Sequence, residues 1–159
     1  MFLRKLRATV SDEPTGFVWV EEGRLAASGY PASRGQLEWL KERGVGVILT
    51  LTERPIPAEV TTGLGIDFVN VPMKDHEPPN SDSLTRAADA IAAGLKSGKV
   101  VLVHCLAGEG RTGCALAAFM IRERRMEVRG ALDAIRKAKP AFVERAQESA
   151  VEAFAAARV

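Results

Sequence analysis

The segment from Lys99 to Arg124 constrains the fold of this chain more than any other. KVVLVH (99–104) is its most strand-like run, and it leads into a loop with glycines at 108, 110 and 113. From Thr112 to about Arg124 the sequence is apolar nearly all round for three turns, the pattern of a helix buried at the centre of a fold. A strand that passes through a tight loop into a buried helix is the building unit of α/β architectures. In such folds ligands bind beyond the carboxyl ends of the strands. One of the chain's two cysteines, Cys105, opens this loop, and Arg111 stands at its end.

The rest of the chain fits the same class. FVWV (17–20) and RLAAS (24–28) read as two short strands around a turn at Glu22 and Gly23. Ser33 followed by Gln36 is a capping-box pattern, which predicts a helix through about Arg43 with Leu37, Trp39 and Leu40 on its apolar side. Gly44 ends it. VGVILTL (45–51) and IDFVNV (66–71) are further strands, with a short turn or helix around PAEVTTG between them. VPMKDHEPPNSD (71–82) has three prolines and no periodicity, and reads as a loop. The stripe Leu84, Ala87, Ala88, Ile91 and Leu95 predicts a helix over about 83–97. Two more helices are expected near 129–138 and 143–157, separated by Pro140. The expected fold is α/β, a central, mostly parallel sheet flanked by helices, forming a single domain over residues 1–159.

Composition narrows the function. Apolar residues make up 47% and charged residues 26%, as in an ordinary globular protein that needs no disulfide staples. The net charge is only +2 and no long run of like charge occurs, so nucleic-acid binding is not expected. Two cysteines suit a reducing compartment in which a thiol is kept for chemistry. Basic residues interrupt the short apolar stretch of MFLRKLRATV, and no window approaches a membrane span, so the expectation is a cytoplasmic protein with no membrane contact. Two histidines and two cysteines do not supply zinc spacing; no metal and no organic cofactor is expected.

The loop itself has a chemical logic. Glycines let successive backbone N–H groups turn inward to form an anion nest. The dipole and free N–H groups of the following helix add to the same field. A phosphoryl group or another oxyanion suits such a site. The field also favours a thiolate over a thiol, and the thiolate is the nucleophilic form of cysteine. Arg111 adds a planar fork that matches two phosphate oxygens, which a lysine cannot do. Positive charge at a helix start opposes the dipole, and that local conflict argues for function. Cys105 is therefore the candidate nucleophile. Leu106, Ala107, Gly108, Glu109, Gly110 and Arg111 form the candidate phosphate cradle. Cys114 reads as core packing.

HCLAGEGRTG resembles the H-C-x5-R-[ST] signature of the cysteine-dependent protein tyrosine phosphatase superfamily, and its glycine placement is similar to that of the compact atypical dual-specificity phosphatases. The similarity runs from FVWVEEGRLAASGYP, through LTERPIP and the DHEPP loop, to the C-terminal helix. The resemblance implies hydrolysis of phosphotyrosine, and of phosphoserine or phosphothreonine, on phosphorylated protein substrates through a phosphocysteine intermediate. It places Asp75 as the acid that protonates the leaving oxygen and later deprotonates water. It implies that Thr112 donates its hydroxyl to the sulfur and that His104 orders the loop by hydrogen bonding. It also implies that Glu144 is a polar residue positioning water.

Other readings stand beside this one. Glu109 puts a negative side chain into the phosphate loop where phosphoinositide phosphatases carry lysines, and RNA triphosphatases of the superfamily favour a basic entrance. Both features disfavour such substrates, and a phosphoinositide or an RNA 5′ end stands only as the alternative to a phosphoprotein. A non-catalytic phosphate-binding module needs neither Cys105 nor Asp75. Glu53 and Arg54 read equally as a pair near the site or as a solvent-facing pair, and Lys99 as a surface charge.

Overall fold

The structure is a computed structural model that describes residues 12–157. The reading of MFLRKLRATV lies outside the described residues. The elements in order are β1 (Val18–Glu21), β2 (Leu25–Ser28), α1 (Arg34–Glu42), β3 (Val45–Thr50), α2 (Ala58–Thr61), β4 (Asp67–Asn70), α3 (Ser81–Lys96), β5 (Val100–His104), α4 (Gly110–Glu123) and α5 (Val128–Ala138). A single 3-10 turn (Arg145–Gln147) then leads directly into α6 (Glu148–Ala156).

The strands form one sheet in the order β1-β2-β5-β3-β4. Only β1 and β2 pair antiparallel; β2 with β5, β5 with β3 and β3 with β4 are parallel. The expected α/β class, with a mostly parallel sheet between helices, is the observed one. β5 is the central strand, as its unbroken apolar run requires when both faces are covered.

Side-chain alternation divides that strand between two cores. Val101 and Val103 join Leu25, Ala27, Val47 and Leu49 on the face covered by α3, α4, α5 and α6. Leu102 joins Ala26 and Ile48 on the opposite face, against Leu37 and Leu40 of α1. The same parity sends Cys105 toward the α4 face and His104 toward the other. Cys105 and the neighbouring His104 therefore leave the strand in opposite directions.

Helix ends account for most differences from the sequence reading. The Ser33–Gln36 box forms as expected, with Ser33 Oγ accepting from the Gln36 amide at 3.2 Å and the Ser33 amide donating to Gln36 Oε1 at 3.3 Å. α3 begins at Ser81 rather than near 83, because the Asn80 side chain caps it, accepting from the Ser83 amide at 2.8 Å. Such a cap is worth about 1 kcal/mol. α4 begins at Gly110, so Arg111 and Thr112 sit inside its first turn. The helix expected over 143–157 does not start at 143. Val143 has φ +62, a left-handed conformation that a β-branched residue rarely adopts, and this ends any helical continuity there. No ion pair joins Glu53 to Arg54 among the described residues, whereas Lys99 pairs with Asp67. No helix of the described residues is long and apolar enough to cross a membrane.

Candidate active site

The loops that follow β2, β3, β4 and β5 meet at the carboxyl edge of the sheet. Backbone hydrogen bonds tie them together: Leu51 N to His104 O at 3.0 Å, Met73 N to Leu51 O at 3.0 Å and Tyr30 N to Leu106 O at 3.0 Å. There they enclose a cavity of about 330 Å³, bordered by the loop after β5, the loop after β4 and the segment between α5 and α6. Cys105 is only 3% exposed, yet it is one of the residues that line this cavity.

Residues 105–109 curl over the start of α4. Gly108 has φ +79, and a Cβ there would lie 2.4 Å from the Ser28 carbonyl oxygen, so no other residue fits without moving β2 or the loop. Among the described residues, no protein acceptor takes an amide proton of residues 106–109. No side chain caps α4 either, so the N–H groups of its first turn lack the usual side-chain partner. These unspent donors converge on one end of a buried helix, the arrangement that binds a tetrahedral anion.

Arg111 is 5% exposed. Its Nη1 donates to the Met73 carbonyl at 3.0 Å, and its Nη2 lies 3.3 Å from Asp75 Oδ1. One guanidinium thus joins the nucleophile loop to the loop after β4 and holds Asp75 at the cavity wall. Glu53 Oε1 also accepts from the Asp75 amide, at 3.4 Å. His76 is in the left-handed region (φ +61), and its Nε2 lies 3.4 Å from Asp75 Oδ2. Asp75 is therefore held through both carboxylate oxygens and its own backbone.

His104 is fully buried beneath the loop. Burial pulls its imidazole down to about 4; the Cys105 carbonyl opposes that and the Arg111 charge adds to it. The ring is neutral at pH 7. Its Nδ1–H donates to the Cys105 carbonyl at 3.0 Å, so Nε2 accepts from the Thr50 hydroxyl at 2.8 Å. Thr50 lies opposite His104 in the β3–β5 register. The histidine is a brace between the central sheet and the Cys105 backbone, with Tyr30 edge-on to it at 5.3 Å.

Thr112 is fully buried, and its hydroxyl has no hydrogen-bond partner; the expected bond to the Cys105 sulfur is not made. Cys114 is buried in the core, and burial raises its thiol to about 12, with Cys105 adding to the effect. At the third wall, Glu144 borders the cavity but is exposed. The sequence reading missed Gln147. Its amide packs where a Cβ on Gly110 would be 2.7 Å away, and its Oε1 is buried without a partner. Its signal in sequence was only a polar residue three positions after Glu144.

The segment carrying Glu144 and Gln147 is held from α5. Arg136 Nε donates to the Phe142 carbonyl at 2.9 Å, and its Nη2 donates to the Val143 carbonyl at 2.6 Å and Glu148 Oε1 at 2.8 Å. Gly113 allows the approach, since a Cβ there would lie 2.7 Å from the Val143 nitrogen. No group of His, Cys, Asp and Glu among the described residues has the arrangement of a metal site.

Residues 25–125 match the family described as "Polymorphic toxin system, DSP-PTPase phosphatase". The phosphatidylglycerophosphate phosphatase PTPMT2 of Arabidopsis thaliana is 26% identical over 141 residues, which cover 86% of this chain and 62% of that protein. The human dual specificity protein phosphatase CDC14C is 26% identical over 138 residues, 79% of this chain and 30% of that protein. The chain thus spans less than two thirds of either relative. A mutant form of Tk-PTP superposes with a TM-score of 0.78 at 26% identity, covering 89% of this chain and 95% of that one. Human DUSP28 shares the fold, with a TM-score of 0.75 at 22% identity over 94% of this chain and 99% of that one.

Proposed function

Because the chain belongs to the DSP-PTPase phosphatases, within the cysteine-dependent protein tyrosine phosphatase superfamily, we propose that it hydrolyses phosphotyrosine on proteins through a phosphocysteine intermediate, accepting phosphoserine and phosphothreonine as well. The observation that carries this reading is the convergence of Cys105, Arg111, Asp75 and the free loop amides on one cavity.

In the first step Cys105 Sγ attacks phosphorus. The amides of residues 106–110 and the Arg111 guanidinium take the charge on the equatorial oxygens, which is where phosphoryl transfer gains most from preorganised donors. Asp75 protonates the departing oxygen, a contribution of about 10²–10⁴-fold. In the second step Asp75 takes a proton from water, the water oxygen attacks phosphorus, and the thiolate leaves. Thr112, with its unspent hydroxyl, stabilises that sulfur. Gln147 supplies a buried, unpartnered oxygen for the water, and Glu144 lies farther out in solvent. His104 fixes the loop and takes no proton. Side chains carry every step, so the mechanism calls on no cofactor. The reading assigns the protein to the cytoplasm.

The second reading, a phosphorylated lipid, draws support from the name of the plant relative. Retention of both Cys105 and Asp75 speaks against a module that only binds phosphate. Quenched-flow mixing with a ³²P-labelled aryl phosphate tests the central step. The expected result is a protein-bound labelled adduct that is absent from Cys105→Ser; hydrolysis without any adduct would remove the covalent mechanism.

A further inference from the structure

Resting on the phosphatase reading above, the geometry points to a phosphopeptide with lysine or arginine beside its phosphorylated residue as the substrate this site selects. The chain carries a net charge of +2, but its cavity has the opposite sign. Asp75, Glu77, Glu109 and Glu144 line it, against the single guanidinium of Arg111. Arg111 is buried at the phosphate loop and held to Asp75, so it answers the phosphoryl group and leaves the rim uncompensated.

The other three carboxylates come from three separate segments: the loop after β4, the nucleophile loop and the turn after α5. None of the three has an ion-pair partner among the described residues. Elsewhere the molecule pairs some of its carboxylates and leaves others, such as Glu22, Glu59, Asp82, Asp133 and Glu152, without an ion pair among the described residues. Glu21 is held by Arg124, Asp89 and Glu123 by Arg122, and Glu148 by Arg136. Lys74 and Arg145 are neighbours of the rim in sequence and exposed, but they do not line the cavity. What sets the mouth apart is that three such carboxylates border one cavity whose lining, among the described residues, holds no Lys or Arg besides Arg111.

A second, independent feature lies beside it. Leu106 is 61% exposed directly after the nucleophile, with Ala107 and Pro78 also at the cavity. A leucine kept in solvent there offers apolar surface to a tyrosine ring or to the methylene stem of a lysine or arginine, whose charged head then reaches a rim carboxylate. Charges within about 8–10 Å of one another interact at physiological salt, so these carboxylates act on the residues flanking the phosphate. The same field repels a polyphosphorylated headgroup and the negative surface of an anionic bilayer.

The test compares two phosphotyrosine peptides that differ only in flanking residues, Lys/Arg against Asp/Glu, with p-nitrophenyl phosphate as a substrate lacking either. Each exposed charge pair contributes about 1.5- to 5-fold. The basic peptide is therefore expected to exceed the acidic one by about tenfold or more in kcat/KM at low salt, and the gap narrows as salt rises. Glu77→Lys and the double change Glu77→Lys/Glu144→Lys should shrink that ratio stepwise. Equal kcat/KM for the two peptides, or higher kcat/KM for a soluble short-chain phosphoinositide or for phosphatidylglycerophosphate in vesicles, overturns the proposal while turnover of p-nitrophenyl phosphate keeps the phosphatase reading intact. No turnover of p-nitrophenyl phosphate overturns both.

Discussion

Two walls of the cavity are built by opposite means. The nucleophile wall, residues 105–112, is contiguous in sequence. The central strand aims Cys105, Gly108 lets the chain turn against Ser28, and the helix start supplies the free amides. The facing wall, residues 142–148, has no local reason to adopt its shape. Val143 sits at φ +62, and Arg136 holds the segment through two carbonyls and Glu148. The loop carrying Asp75 is intermediate: it is irregular in itself but tied by Arg111 and Glu53. In the proposed mechanism the covalent chemistry is therefore written in one short segment, while the alignment of acid and water depends on distant residues.

Asp75→Asn is the strongest test of that dependence. A loss of about 10²–10⁴-fold in kcat is expected for aryl phosphates with poor leaving groups, and a smaller loss for good ones. A uniform loss across a leaving-group series would assign Asp75 to binding alone. Gly108→Ala attacks the contiguous wall. The new methyl meets the Ser28 carbonyl, and a shift of the loop by about 1 Å costs about 10²-fold. Steady-state kinetics and phosphate affinity should fall together, because one loop serves both.

Arg136→Ala attacks the facing wall without touching the cavity. Its carbonyl and carboxylate bonds are charge-assisted, so a stability loss of about 2 kcal/mol in urea titration is expected. The slower release of phosphate from the intermediate should appear as a larger burst. Arg136→Lys should not restore it, since an ammonium lacks the planar fork that reaches several oxygens at once. An unchanged burst would mean that the facing wall holds its shape unaided.

The last effect concerns the His104 brace and is read in stability against pH, not in turnover. Its folded value of about 4 lies below the ordinary 6.5. The unfolded chain binds a proton at pH values where the native histidine refuses one. This contribution to stability is complete above pH 6.5 and is lost as pH falls from 6.5 to 4, by up to about 3 kcal/mol. Urea midpoints across that window should show the slope, and His104→Gln should flatten it.

Legibility followed the range of the interactions. The capping box at Ser33 and the stripe on α3 rest on residues within a few turns of each other, and the structure reproduces them. The early start of α3 was available in Asn80, a capping residue that periodicity alone does not weigh. Gln147 and the left-handed Val143 were not available, because their placement answers to Gly110, Gly113 and Arg136 rather than to neighbours in sequence.

The amino-acid sequence alone determined the α/β class, the strand that leads into the glycine loop and the thiol and guanidinium on that loop, since backbone freedom, alternation and helix polarity act over a few residues. Only the tertiary structure decided that Arg111 reaches Met73 and Asp75, that His104 braces against Thr50, and that three unpaired carboxylates ring the mouth. Those contacts join segments far apart along the chain, and they exist only once strand order and helix packing have brought the loops to one edge of the sheet.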